Sequence, residues 1–176
     1  MQLETPDVII LRGAPGSGKS ETAKCLSEYF REGVRLEVDT IRQMVISVDW
    51  KNQQEHINML DVSQGLVLGF LKHGFSPVIV VDTFSGDKVN RFQGALLNHD
   101  RNLQAKIFGL YTSDEELQKR LELRPDGEFK DFPISKKLNS DTLRLKRDIE
   151  ILIDTTGLTP KQSAEMIYEL LKHVVP

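Results

Sequence analysis

Gly13-Ala14-Pro15-Gly16-Ser17-Gly18-Lys19-Ser20 sets three glycines, a lysine and a hydroxyl in the G-x-x-x-x-G-K-[ST] spacing. Glycines let a backbone wrap a phosphate and turn several N–H groups inward. A helix starting at the end of the loop adds the partial positive charge of its N-terminus. In that pattern Lys19 bridges β- and γ-phosphates, and the Ser20 hydroxyl ligates Mg²⁺. The context agrees: the apolar run Val8-Ile9-Ile10-Leu11 precedes the loop, and Ala23, Leu26 and Phe30 follow at helical spacing. The expected nucleotide contacts are residues 13–20, with Glu21 on the same helix and Thr156 on the last loop.

Further chemistry is expected where apolar runs end in acids. Asp39 follows the run from Val34 to Val38, and Arg42 lies one helical turn later on the same face. An aspartate there can accept the proton of an acceptor hydroxyl, and the arginine can hold an anionic neighbour. Asp39 also suits a helix N-cap, and both roles can coexist. Asp82 closes Val78-Ile79-Val80-Val81, where an acid holds Mg²⁺ through water or orients Lys19 and Ser20. Arg120 and Arg124, spaced i, i+4, precede the polar stretch from Arg124 to Asn139, which reads as a loop and lid. Guanidinium groups delivered from there would meet the γ-phosphate.

The elements that position these residues follow from periodicity. Five short strands are expected: Val8–Leu11, Val34–Val38, Val78–Val81, Ala105–Tyr111 and Ile149–Ile153. Helices are expected from about Asp39, over Gln54–His73, Lys88–Asn98, Ser113–Leu123 and Thr159–His173. Ile57, Leu60, Val67 and Leu71 form the apolar face of the longest, which Gly65 and Gly69 weaken by about 1 kcal/mol each. Ser113–Glu116 and Thr159–Gln162 read as capping boxes. Strand–helix alternation of this kind implies a parallel sheet with helices on both faces.

Composition bounds the function. The chain has 176 residues, 26 acidic and 23 basic side chains, and a net charge of −3. One domain, residues 1–176 with a lid at about 124–139, is expected from that length. Apolar residues at 39% and charged residues at 28% suit a soluble globular protein. The acidic balance disfavours broad electrostatic binding of long nucleic acid. Cys25 is the single cysteine, which excludes an internal disulfide and multi-cysteine metal centres. The four histidines (56, 73, 99, 173) are scattered. No segment is long enough for a membrane span, and the polar, acidic start does not read as a signal peptide, so a cytoplasmic setting is expected. Asp154-Thr155-Thr156-Gly157 spells the D-x-x-G of GTPase switches, but it follows the last strand, and no N-K-x-D is present.

Together these segments resemble the small P-loop kinases of the polynucleotide kinase and zeta-toxin type, an AAA-type ATP-binding group, with gluconate and shikimate kinases as more distant relatives. The matching segments are the GAPGSGKS loop, Asp39-Thr40-Ile41-Arg42, Val80-Val81-Asp82-Thr83, the Arg120/Arg124 pair, and Ile153-Asp154-Thr155-Thr156-Gly157. The resemblance implies an α/β P-loop NTPase three-layer sandwich with strand order 2-3-1-4-5. It implies ATP·Mg²⁺ as donor, a hydroxyl acceptor, Asp39 as base, Arg42 as substrate contact and both arginines on the lid. Phage-type polynucleotide kinase has Asp-Thr-Asn after the third strand, whereas this chain has Asp82-Thr83-Phe84. Trp50, Phe75, Phe84 and Phe92 are not interleaved with a basic run. A small-molecule or nucleotide-like acceptor is therefore expected ahead of long DNA or RNA. The alternatives are an ATPase or nucleotide-dependent switch, and a non-catalytic nucleotide-binding module.

Overall fold

The computed structural model describes residues 5–144 and 150–173. Five parallel strands lie in the order β2-β3-β1-β4-β5: β1 (Val8–Gly13), β2 (Val34–Glu37), β3 (Val78–Asp82), β4 (Ala105–Tyr111) and β5 (Glu150–Asp154). Every residue of β1 and β3 is buried, which is why both read as continuous apolar runs rather than alternating ones. The period of two still sorts them. Val8, Ile10, Val78 and Val80 face one core layer with Leu60, Val67, Phe92 and Leu96. Ile9, Leu11, Ile79 and Val81 face the other with Ala23, Leu26, Ala164 and Ile167. Helices α3 (Gln53–Lys72) and α4 (Lys88–His99) thus cover one face, and α1 (Lys19–Ser27) and α7 (Pro160–His173) the other. Three shorter or peripheral helices complete the chain order: α2 (Val38–Arg42), α5 (Asp114–Glu122) and α6 (Phe132–Arg144). This is the three-layer α/β sandwich expected from the sequence.

Several boundaries differ from expectation. Val38 begins α2 instead of ending β2, although its side chain is buried either way. Leu60 and Val67 of the expected apolar face of α3 are buried and Leu71 packs against the same core, while Ile57 stands at the edge and the polar His56 and Ser63 are buried beside them. α3 runs unbroken through Gly65 and Gly69. Ile149, expected to open the last strand, lies outside the described residues.

The largest correction concerns the stretch read as a loop. Residues 132–139 are helical and belong to α6. Asp131 caps it, accepting the Ile134 N–H at 2.9 Å, and Pro133 falls in the first turn, where a missing N–H is tolerated. Its buried face is Ser135, Asn139 and Thr142, a helical spacing of polar side chains that hydrophobic periodicity does not register. Asn139 bonds the Thr112 backbone twice, accepting from its N–H at 3.1 Å and donating to its carbonyl at 2.7 Å.

A second anchor joins α6 to the strand that feeds the glycine loop. Arg12, one residue before Gly13, donates through Nε to Glu150 Oε1 at 2.5 Å. Its Nη2 donates to Glu150 Oε2 and the Thr142 carbonyl, each at 3.1 Å. Both side chains are almost wholly buried. Deleting one member strands a charge in the interior, so Glu150→Ala should destabilise the fold by about 3–5 kcal/mol. Urea unfolding checks this, and a loss of about 1 kcal/mol or less, the scale of an exposed pair, would contradict it.

Candidate active site

The glycine loop leaves β1 at Gly13, where a side chain has no room: a Cβ would lie 2.5 Å from both the Leu110 carbonyl and Ser17 Oγ. The loop is closed by the Ser17 N–H donating to the Ala14 carbonyl at 3.1 Å. Gly18 is the N-cap of α1 at φ 88°, a conformation open to glycine, and it brings no capping side chain. The first N–H groups of α1 therefore face the loop without the usual side-chain acceptor. Lys19 Nζ folds back on the Ala14 carbonyl at 3.4 Å. The Ser17 hydroxyl, buried beside Gly13, has no hydrogen-bond partner among the described residues.

Acidic groups stand across the loop. Burial lowers the Lys19 pKa, with Asp39 and Asp82 opposing that shift and Arg124 adding to it. The Asp39 pKa is raised, by removal from water first and by the Asp82 charge second; Lys19 is the leading opponent. Asp39 nevertheless remains open to solvent, lining the cleft with Glu37. Asp82 is buried at the end of β3. Burial alone would raise its pKa, but the His56 hydrogen bond, the Phe84 N–H and the Lys19 ammonium bring it below the ordinary carboxylate value.

Arg42 departs from expectation. It does not line the cleft beside Asp39; its side chain is buried and already committed. Nε donates to Glu55 Oε1 at 3.0 Å, and Nη2 donates to the carbonyls of Asp49 and Asn52 at 2.5 and 3.2 Å. Its guanidinium also lies 4.9 Å from the Trp50 ring centroid. Arg42 is thus the brace of the segment between α2 and α3, not a free anion ligand.

His56 is the residue that sequence reasoning passed over. Its Nε2 lies 3.1 Å from Asp82 Oδ1, and its Nδ1 lies 2.9 Å from Lys88 Nζ. Its only sequence signal is its place on the buried stripe of α3, four residues before Leu60.

The third wall comes from α5 and the turn before α7. Ser113 caps α5 by accepting the Glu116 N–H at 3.2 Å. The reciprocal half of the capping box is not made: the Ser113 N–H donates to Thr156 Oγ1 at 2.8 Å. Glu116 instead accepts from Arg120 Nε at 2.8 Å. Arg120 also donates to Thr155 Oγ1 at 3.0 Å and to the Thr155 carbonyl at 2.7 Å. Thr155 Oγ1 in turn sits 3.0 Å from the Ser17 carbonyl, tying the last loop to the glycine loop. Of the two threonines after β5, Thr155 lines the cleft, whereas Thr156 is occupied at the junction of β4 and α5. Arg124 lines the cleft while donating to the Phe129 carbonyl at 2.8 Å.

These walls enclose a cleft of about 720 Å³. Gly16, Gly18, Lys19, Ser20 and Glu21 line its floor, and Leu123, Pro125, Leu158 and Pro160 its apolar margin. That volume falls within the range of small-molecule sites. The donor set fits a triphosphate: an uncapped helix start, an ammonium and, lining the cleft as Arg42 does not, the guanidinium groups of Arg124 and of Arg120, the latter held in place by Glu116 and Thr155. It also fits Mg²⁺, which takes one or two protein oxygens and fills its sphere with phosphate and water. No group of three or more His, Cys, Asp or Glu side chains forms a metal cage among the described residues.

Known proteins agree with this architecture. The tunicamycin resistance protein of Deinococcus radiodurans superposes with a TM-score of 0.66 at 23% identity, covering 96% of each chain. Shikimate kinase from Acinetobacter baumannii, in complex with shikimate, gives 0.63 at 20% identity over 96% of this chain and 94% of its own. A gluconokinase from Sinorhizobium meliloti 1021 gives 0.61 at 18%, with the same coverage. At such identities the likeness is one of fold alone. No curated protein matches the chain significantly in sequence. Residues 8–140 match the model of a family described as an AAA domain, and that match spans most of the chain. The chain belongs to this AAA-domain family.

Proposed function

We propose that the protein is an ATP-dependent phosphotransferase that moves the γ-phosphoryl group to a hydroxyl of a small-molecule or nucleotide-like acceptor. One observation carries the reading: Lys19, an aspartate with a raised pKa and two arginines line a single cleft over a phosphate-binding loop. Nucleotide binding alone needs neither the aspartate nor both arginines. The triphosphate lies along residues 13–20, with its base against the apolar margin between Leu123 and Leu158. The acceptor oxygen gives its proton to Asp39 and bonds to the γ-phosphorus. The bond to the bridging β–γ oxygen breaks, ADP leaves, and Asp39 returns the proton to solvent. Lys19, Arg120 and Arg124 neutralise charge on the moving group, a contribution that is electrostatic rather than covalent. Mg²⁺ would be held by Ser20 and Asp82, directly or through water, and when bound it offsets charge on the β- and γ-oxygens.

The lid is shorter than the stretch from 124 to 139. With α6 bolted through Asn139 and Arg12, closure belongs to the residues before Phe132, which carry Arg124, Pro125 and Glu128 to the cleft edge.

The gluconokinase and shikimate kinase among similar folds favour a compact polyol-like acceptor. Incubation with γ-labelled ATP and a panel of sugars, nucleosides, nucleotides and 5′-hydroxyl oligonucleotides tests the reading. Label should pass to one acceptor class faster than it is released as phosphate. Release of inorganic phosphate at one rate whatever the acceptor would overturn transfer and leave an ATPase.

A further inference from the structure

Asp82 is held from two sides. Its Oδ2 accepts the Phe84 N–H at 2.8 Å. Phe84 is the one non-glycine residue at positive φ (46°) among the described residues, and its ring is fully buried against Phe92. The turn is thus kept in a conformation a bulky side chain avoids, with its amide aimed at the carboxylate. Oδ1 faces His56 Nε2 at 3.1 Å. Which hydrogen His56 offers is decided one step further out. Lys88 Nζ lies 2.9 Å from His56 Nδ1 and 2.9 Å from Gln53 Oε1. An ammonium has no lone pair, so Nδ1 must accept and Nε2 must carry the hydrogen that goes to Asp82. The four side chains come from three elements: Gln53 and His56 from α3, Lys88 from α4 and Asp82 from β3.

We propose that His56, fixed in its Nε2–H tautomer by Lys88, is the positioning residue that aims the Asp82 carboxylate at the metal side of the transfer centre. The inference rests on the reading of Asp82 as the Mg²⁺-side acid under Proposed function. A carboxylate buried without these donors is left to the pull of the Lys19 ammonium, whose charge it already feels, and Lys19 is needed for phosphate. His56 holds it against that pull. Lys88, at the outer end, is only half-buried, and its stem also lines a second cavity of about 270 Å³ between α3 and α4. The orientation of a deep carboxylate is in this way set from near the surface.

The test pairs Mg²⁺ titration of turnover with nitrogen NMR of the ligand-free protein. His56→Leu removes the donor and should raise the half-saturating Mg²⁺ concentration roughly 10–100-fold, the usual effect of losing a partner of a metal-side ligand. His56→Gln places an amide N–H close to Nε2 and should recover most of that loss, which a pure packing role would not explain. The ¹⁵N spectrum should show His56 protonated at Nε2 in the wild type, and Lys88→Met, at a half-exposed position, should abolish that preference. Asp82→Asn is measured alongside. If it raises the Mg²⁺ requirement while His56→Leu does not, this inference falls and the reading of Asp82 stands. The inference also falls if His56→Gln is no better than His56→Leu, or if the spectrum shows Nδ1–H. If Asp82→Asn leaves the requirement unchanged, the metal-side reading itself fails, and this inference with it.

Discussion

Asp39→Asn binds ATP as the wild type does and loses turnover by roughly 10²–10⁴-fold, the scale of general-base catalysis. The asparagine keeps the size and polarity of the group at the cleft edge but cannot take a proton. Calorimetry of ATP binding and single-turnover transfer separate the two effects; wild-type turnover in the variant would remove Asp39 from the reaction. The raised pKa fixes the sign of the pH dependence. Asp39 must be ionised to act, so activity falls as pH drops through its pKa, and that fall begins at a higher pH than for an ordinary aspartate. The acidic limb of the wild-type profile should vanish in the variant. A raised folded-state pKa also means that ionising Asp39 opposes folding: the native state is relatively most stable below the unfolded value and loses that advantage as pH rises through the folded value. Asp39→Asn should accordingly unfold at a higher urea concentration than wild type at neutral pH. Catalytic loss with a stability gain is the signature of a strained acid, not of a helix cap, whose removal destabilises.

Lys19→Ala loses both binding and transfer. Burial disfavours the ammonium, and Asp39 and Asp82 oppose that shift. Without it those acids face the incoming triphosphate with one compensating cation fewer, so repulsion adds to the missing contact. Turnover should fall by roughly 10²–10³-fold or more, the cost of removing one preorganised donor to a developing charge. ATP affinity should weaken as well, because the lysine is offered to the ground-state phosphates too. Unchanged affinity by calorimetry would place the nucleotide elsewhere. The vacated pair of acids should also shift the acidic limb of any residual activity upward, since Lys19 is the leading opponent of the Asp39 shift.

The parts of this molecule that were legible in its sequence are those where one physical rule dominated. β1 and β3 announce themselves because strands buried on both faces are apolar along most of their length. The glycine loop is legible because close approach at Gly13 and a left-handed Gly18 tolerate few substitutes. The caps of α5 and α7 follow from serine and threonine chemistry, and Thr159 and Gln162 do exchange their bonds. What stayed hidden was polar burial. α6 packs through Ser135, Asn139 and Thr142, and Asn139 replaces hydrophobic contact with two backbone hydrogen bonds. His56 hides on α3 for the same reason, since its partners are far away in sequence. Arg42 was misplaced because a shared helix face says nothing about which carbonyls fold back to meet it; Asp49 and Asn52 do. Glu116 illustrates the same competition: a box partner by spacing, it serves Arg120 because Thr156 has already satisfied the Ser113 amide.

A crystal structure with a non-hydrolysable ATP analogue and Mg²⁺ tests the whole arrangement most directly. The triphosphate should run along residues 13–20, with its terminal phosphate at Lys19 and the Asp39 carboxylate across from it, within reach of an acceptor hydroxyl directly or through one water. A triphosphate bound outside that loop, or an Asp39 carboxylate turned away from the terminal phosphate, would contradict phosphoryl transfer at this cleft.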